Sequence, residues 1–184
     1  MQTKPLIELP APQVIQATDL LALHEIEKTA YSFPWSLHAF QDCVSSNYWM
    51  QKITLSSPFV QADEDLLVQK SSPQKNLNAA SIDAYIVAMP VLDEVHLLNI
   101  TVKPSLQGQG LGRFLLQHLQ AWAHSQKAQS IWLEVRASNS KAIALYLSYG
   151  FIQKGRRKEY YPDAAGKRED AIVMSFALQE AICT

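Results

Sequence analysis

Three groups of residues in this chain have types and spacings that could do chemistry. Glu134 stands between Trp132 and Arg136 on one side of the run Ser130 to Arg136. A carboxylate beside an indole is partly desolvated, which raises its pKa toward the range of a working general base. The competing reading is a solvent-facing Glu134 that pairs with Arg136 two residues along the strand. Asn139, Ile143 and Tyr146 follow at i, i+4 and i+7, so a helix would set an amide and a phenol along one groove. Alternatively, Tyr146 is a core residue with a satisfied hydroxyl and Asn139 only caps the helix. The third group is Gln107-Gly108-Gln109-Gly110-Leu111-Gly112-Arg113, where glycines alternate just ahead of a long helical pattern.

Side chains at 108, 110 and 112 would block close approach of a ligand to this turn. Glycine leaves the N–H groups open, and the helix dipole adds positive potential, so a phosphate or diphosphate is the expected ligand. Two phosphate loops fail the comparison. Gly112 is followed by Arg113-Phe114 where a Walker loop needs Lys and Ser or Thr, and Arg113 stands where a dinucleotide fingerprint needs its third Gly. Neither ATP nor NAD is indicated. What the loop does match is Q-x-x-G-x-G, through Gln107, Gly110 and Gly112.

These residues need elements to hold them. Val95 to Val102 is a β-rich run broken by Lys103-Pro104-Ser105, and Leu111, Leu115, Leu119 and Trp122 recur at helical spacing beyond the glycines. Ile131, Leu133 and Val135 face one way on the next strand, Trp132, Glu134 and Arg136 the other. Ala137-Ser138-Asn139 signals a cap, a helix runs from about Ser140 to Tyr149, and Gly150 suits its left-handed terminator. Upstream, Val14-Ile15 suggests a short strand, and Thr18-Asp19 can cap a helix carrying Leu20, Leu23, Ile26 and Ala30. Pro34 forbids easy continuation, and Ser36 caps a second helix through Leu37, Phe40 and Val44. Phe33 and Trp35 lie between these helices, either as ordinary aromatic packing or as a substrate wall. Tyr48 to Leu55 and Ile82 to Leu92 frame an antiparallel pair whose connection, 56–81, is far too long for a hairpin loop and reads as a solvated insertion. Phe151 to Gln153 and Ala171 to Leu178 are the last strand candidates. The order is strand, two helices, three strands, helix, strand, helix, two strands, which predicts an α+β domain with a mixed sheet covered by helices.

With 184 residues, 48% of them hydrophobic, and a formal net charge of -1, the chain suits one domain over 1–184 with a leader at 1–13. Near-neutral charge argues against a protein held mainly by nucleic-acid phosphates. Lys154, Arg156, Arg157 and Lys158 form a short basic run, read as a solvated strand face, with contact to RNA or an acidic partner as the lesser reading. Cys43 and Cys183 have no metal-ligand spacing, so reduced thiols and no metal are expected. No run of eighteen apolar residues is present, and the expectation is a soluble, cytoplasmic protein with no membrane partner.

The loop Gln107, Gly110, Gly112 resembles the pyrophosphate loop of the GNAT family of acetyl-coenzyme A dependent N-acetyltransferases. Further blocks extend the resemblance to the bacterial branch that acetylates ribosomal-protein alanine termini. They are Phe33-Pro34-Trp35-Ser36, Val91-Leu92-Asp93-Glu94, Asn99-Ile100, Trp132 through Asn139, Ala142 through Tyr146, Gly150-Phe151, Tyr160-Tyr161-Pro162 and Arg168 through Ile172. Together they span the chain from about residue 14. The resemblance implies a GNAT-like three-layer fold with a mixed, mostly antiparallel sheet. It implies that Glu134 acts as general base, through water, and Tyr146 as general acid toward the leaving thiolate. Backbone at Ile100, Thr101 and Val102 would pair with the pantetheine arm, Gly108 through Arg113 with Gln107 would hold the pyrophosphate, and Asn139 would hydrogen-bond the cosubstrate. Phe33 and Trp35 on one side and Tyr160 and Tyr161 on the other would hold the acceptor peptide. Transfer would be direct, in a ternary complex, to the α-amine of an N-terminal alanine. An α-amine, with a pKa of roughly 8 against about 10.4 for lysine, suits a mildly basic carboxylate. The rival expectations are acetylation of lysine or a small amine, and a non-catalytic coenzyme A sensor.

Overall fold

The computed structural model describes residues 9–55 and 81–178. Among the described residues, alternation and capping resolve into seven strands and four α-helices: β1 (Gln13–Val14), α1 (Leu20–Ala30), α2 (Leu37–Ser45), β2 (Trp49–Ile53), β3 (Ala84–Val91), β4 (Glu94–Val102), α3 (Leu111–Ser125), β5 (Ser130–Arg136), α4 (Ser140–Tyr149), β6 (Ile152–Pro162) and β7 (Arg168–Ala177). Their order is the one the sequence predicts. The 56–81 insertion, apart from Ser81, and most of the leader lie outside the described residues.

Local chemistry explains most boundaries. Ser36 Oγ accepts from the Ala39 N–H at 3.2 Å and starts α2, and Asn139 Oδ1 accepts from the Ala142 N–H at 3.2 Å and starts α4. Gly150 ends α4 at φ 116, and a Cβ there would stand 3.1 Å from the Phe176 ring. Three expectations change. The strand expected over Phe151 to Gln153 runs on to Pro162, and its partner begins at Arg168 rather than Ala171. Asp19 does not cap α1; its carboxylate accepts from the Gln16 N–H and from Lys52 Nζ at 2.6 Å, tying the helix start to β2. Leu92 leaves β3 and turns the chain toward β4, almost fully exposed at φ 55, because a two-residue connection requires a turn conformation that an apolar pattern does not reveal.

The strands form one sheet in the order β1-β2-β3-β4-β5-β7-β6, antiparallel throughout except for the β4/β5 pair. Parallel neighbours need a crossover, and α3 supplies it. Helices α3 and α4 cover one face through Leu111, Leu115, Leu116, Leu119 and Tyr146 packed on Ile86, Leu97, Ile131 and Leu133. Helices α1 and α2 cover the other through Leu23, Ile26 and Phe40 packed on Met50, Tyr85 and Val87. This is a three-layer α+β arrangement.

One irregularity opens the molecule. Val87 pairs with Asn99 and Ala88 with Leu97, so Leu98 is an extra residue, a bulge, in β4. The β4/β5 register runs only from Glu94↔Ser130 to Leu97↔Leu133 and stops at that bulge. Beyond it the two central strands separate.

Candidate functional site

The gap between the separated strands carries the unpaired backbone of β4. Lys103 N–H donates to Asp83 O at 2.9 Å, and antiparallel pairs alternate between bonded and non-bonded. Tyr85/Thr101 is therefore a bonded pair, while the N–H and C=O of Ile100 and Val102 turn away from β3. Two side chains mark that direction: the Tyr31 hydroxyl donates to Ile100 O at 3.1 Å and Gln107 Nε2 donates to Val102 O at 3.2 Å. Thr101, grouped with these two by the sequence, lies outside the gap. It is buried, with its hydroxyl directed at Glu27 and Asn99 on the α1 side.

A cavity of about 940 Å³ runs from the glycine loop into this gap, lined by Gln107, Gly108, Gly110, Leu111, Gly112 and Arg113 at one end and by Ile100, Asn139 and Tyr146 at the other. Gly108 and Gly110 take left-handed φ values of 76 and 92, and a Cβ on either would meet no protein atom. They are glycines for conformation. Gly112 is different: a Cβ there would stand 3.0 Å from Leu145 Cδ2, so its smallness also lets α4 pack against α3. With Gly110 at the N-cap no side chain caps α3, which leaves its first N–H groups directed at the cavity. Gln109 Nε2 braces the loop on Ser105 O at 3.4 Å. The Arg113 guanidinium is drawn onto α4, 3.3 Å from Ser148 O and over the Tyr149 ring.

A second cavity of about 520 Å³ adjoins it, lined by Glu27, Trp35, Asn99, Glu134 and Tyr161. Tyr31, Phe33, Ile100, Arg136, Asn139 and Tyr146 are among the residues that line both cavities. The two therefore meet at Tyr146. Burial holds the Tyr146 hydroxyl far above the usual phenol pKa, with Tyr31 and Tyr161 adding to the shift, so it remains protonated and available as a donor.

Glu134 lines only the second cavity, at 24% side-chain exposure. Its ion-pair partner is Arg157 at 3.2 Å, not Arg136, so part of the basic run read as a solvated face reaches the site. Arg156, in the same run, pairs with Asp170 at 2.6 Å. Arg136 instead binds Glu169 at 3.2 Å and Pro162 O at 2.9 Å, with its guanidinium between the rings of Phe33 and Tyr161 at 5.2 and 4.6 Å. Two predicted walls, from the α1–α2 connection and from β6, are thus bridged by one arginine. Although burial opposes it, hydrogen bonds from Ser138 and Arg136 hold the Glu169 carboxyl below the usual value. Tyr161 donates to Glu134 O at 3.0 Å, and burial pushes its hydroxyl up to about 12. Trp35 packs on Phe40 at 5.5 Å while lining the second cavity. Tyr160 lines neither cavity; it is 41% exposed and packs edge-on against Tyr161.

Sequence reading gave no site role to Arg157, Glu169, Tyr31 or Glu27. Arg157 stood only in the basic run and Glu169 only in the Arg168–Ile172 block, because both join the site through distant strands. Glu27 does leave a local mark: it falls on the apolar stripe of α1, seven residues after Leu20 and four before Tyr31, where a carboxylate is out of place unless it is bonded. Cys43 is buried in α2, and burial, with Asp42, pushes its thiol up to about 11, a poor nucleophile. Among the described residues, no group of His, Cys, Asp and Glu has metal-ligand proximity, and no helix is long and apolar enough to cross a membrane.

Comparison with known proteins matches residues 20–151 to the Acetyltransferase (GNAT) family. The chain is 38% identical over 165 residues to the [ribosomal protein bS18]-alanine N-acetyltransferase of Salmonella typhimurium, covering 90% of this chain and 95% of that one. It is similar in structure to the crystal structure of the ribosomal-protein-S18-alanine N-acetyltransferase from Escherichia coli, with a TM-score of 0.72, 37% identity, and coverage of 93% and 95%. A likeness in fold alone extends to the NatC complex bound to Gag peptide and CoA, with a TM-score of 0.65, 16% identity, and coverage of 92% and 98%.

Proposed function

The chain belongs to the GNAT acetyltransferase family and is an acetyl-coenzyme A dependent N-acetyltransferase; from that premise we propose that it acetylates the α-amine of an alanine-initiated ribosomal protein, the small-subunit protein bS18. The observation that carries this reading is the pair of cavities that share Ile100, Asn139 and Tyr146 while Glu134 lines only one of them. Two substrates can meet there.

The larger cavity suits coenzyme A in shape and donor set. Its α3 N-terminus and the amides from Gly108 to Arg113 suit a pyrophosphate. The outward N–H and C=O groups of Ile100 and Val102 suit the amides of a pantetheine arm, and an N–H here can polarise a carbonyl. Asn139 accepts from its helix through Oδ1, which leaves its NH2 as a donor to the cosubstrate. When bound, acetyl-coenzyme A supplies an acetyl group activated as a thioester.

The smaller cavity serves the acceptor. Phe33, Trp35 and Tyr161 flank an extended peptide terminus, with Tyr160 packed edge-on against Tyr161. Glu134 takes the proton from the α-ammonium through a water, exchanging its Arg157 partner for the substrate cation. Tyr146 gives its proton to the departing sulfur. Cys43 lines neither cavity, and in this reading the acetyl passes directly from thioester to amine. No metal takes part in this reading.

The test is acetyl transfer to a peptide copying an alanine-initiated bS18 terminus, with the acetyl located by fragmentation mass spectrometry. Acetyl on the α-nitrogen, abolished when that nitrogen is blocked, is expected. Acetyl found only on lysine side chains would overturn the substrate assignment.

A further inference from the structure

Glu27 is the most buried carboxylate of the described chain, 2% exposed, and the chemistry above makes no use of it. Its oxygens face four donor groups, of which the Thr101 hydroxyl shares its one proton with Asn99 Oδ1 at 2.9 Å. Oε2 accepts from the Tyr85 hydroxyl and from Thr101 Oγ1 at 3.1 Å, and Oε1 accepts from the Trp35 N–H at 3.1 Å and Asn99 Nδ2 at 3.2 Å. No Lys, Arg or His among the described residues forms an ion pair with it. A buried anion is tolerated only when it is this fully bonded.

The four donors do not depend on Glu27 equally. Tyr85, Asn99 and Thr101 belong to β3 and β4, whose ladder fixes their backbones independently. Trp35 belongs to the six-residue connection between α1 and α2, which no strand pairing holds. That connection carries Phe33 and Trp35; the Phe33 ring faces the Arg136 guanidinium where the two cavities adjoin, and Trp35 lines the second alone. A helix residue thus grips the sheet with one oxygen and the connection chiefly with the other.

We infer that Glu27 is a positioning residue for acceptor recognition: its carboxylate fixes the Phe33–Trp35 wall at the distance from β4 and Glu134 that an incoming peptide terminus requires. This rests on the acceptor reading of the second cavity. The strand groups of Ile100 and Val102 keep their places without it. The consequence is asymmetric, because Trp35 lines only the second cavity, whereas the glycine loop and the α3 N-terminus at the far end of the first do not depend on the carboxylate.

The experiment compares wild type with Glu27→Gln. The amide keeps the size of the carboxylate but can accept at only one oxygen and places an NH2 against donors. The KM for the bS18-like peptide should rise about tenfold, as expected from losing one charge-assisted hydrogen bond, with the KM for acetyl-coenzyme A within about twofold of wild type. Hydrogen exchange at the Trp35 amide, read by mass spectrometry on the 31–36 segment, should accelerate by a similar factor. Glu27→Asp, which keeps the charge and shortens the reach, should shift both readouts in the same direction and serves if the Gln variant does not fold. Unchanged exchange at Trp35, or equal rises in both KM values, would overturn the positioning role. The exchange readout does not depend on turnover, so a wild-type enzyme inactive on the peptide would overturn the substrate reading and leave the exchange test standing.

Discussion

Replacing Glu134 with Gln should separate catalysis from stability. The substitution keeps the volume of the side chain and removes its charge, so two things are lost: the ion pair with Arg157 and the proposed base. The pair is weak in stability terms, because Glu134 is 24% and Arg157 58% exposed at 3.2 Å, and partly solvated pairs contribute about 0–1 kcal/mol. For a chain of this size that is a melting shift of less than about 4 °C. Loss of a positioned base costs about 10²–10⁴ in rate, equal to roughly 2.7–5.4 kcal/mol of transition-state stabilisation. The cavity that suits coenzyme A does not include Glu134, so cosubstrate affinity should hold. Steady-state kinetics on the alanine-initiated peptide, calorimetric titration with coenzyme A and a thermal melt measure the three quantities. A kcat within about threefold of wild type would refute the base assignment. A large melting shift together with lost coenzyme A affinity would show that Glu134 is structural.

Tyr146→Phe should lower kcat by about 10-fold or more with little change in peptide KM. Because burial raises the hydroxyl's pKa from its ordinary 10.0, no alkaline limb below pH 10 should trace to it; such a limb in wild type, absent from the variant, would contradict the buried, protonated assignment. The Glu169 carboxyl is held below its ordinary 4.5, so its contribution to stability is fully present above about pH 4.5 and fades as pH falls through the lower folded value. Thermal melts of wild type and Glu169→Gln should differ at neutral pH and converge in acid; a difference that persists below both values would contradict this. Gly112→Val sets a branched side chain where even a Cβ stands 3.0 Å from Leu145 Cδ2. Overpacking of about 1–3 kcal/mol should lower the melting temperature and raise the KM for acetyl-coenzyme A, because α4 carries Asn139 at its cap and Tyr146. An unchanged KM would show that α4 can yield without moving the site.

The residues that sequence reads well are those whose signal is local. Alternation placed Ile131, Leu133 and Val135 on the buried face and Glu134 on the other, and the structure agrees. Ser36, Asn139 and Gly150 act at helix ends through bonds that span three residues or fewer, or through their own φ. The glycine loop was legible as open backbone, but Gly112 also answers to Leu145 on another helix, which no spacing shows. What escaped depends on long-range contact. Arg136 turned to Glu169 because β7 lies beside β5, and Glu134 met Arg157 reaching across β7 from β6, in a strand order unlike that of the chain. The Leu98 bulge, which parts β4 from β5 and so opens the site, looks like any other residue in a β-rich run. Asp19 carried a cap signature, yet Lys52 on a neighbouring strand drew its carboxylate away.

The central claim is that amine and thioester occupy adjoining cavities and meet at Tyr146. It is tested most directly by the affinity of a conjugate in which coenzyme A is joined through an acetyl spacer to the α-nitrogen of an alanine-initiated bS18 peptide. Its isomer, joined through a lysine side chain, is the control. Linking two ligands that occupy adjoining sites raises affinity by about 10²-fold or more. Calorimetry should therefore find the α-linked conjugate at least a hundredfold tighter than coenzyme A alone and the lysine-linked isomer close to coenzyme A itself. Equal affinities for the two isomers, or an α-linked conjugate no tighter than coenzyme A, would contradict the account.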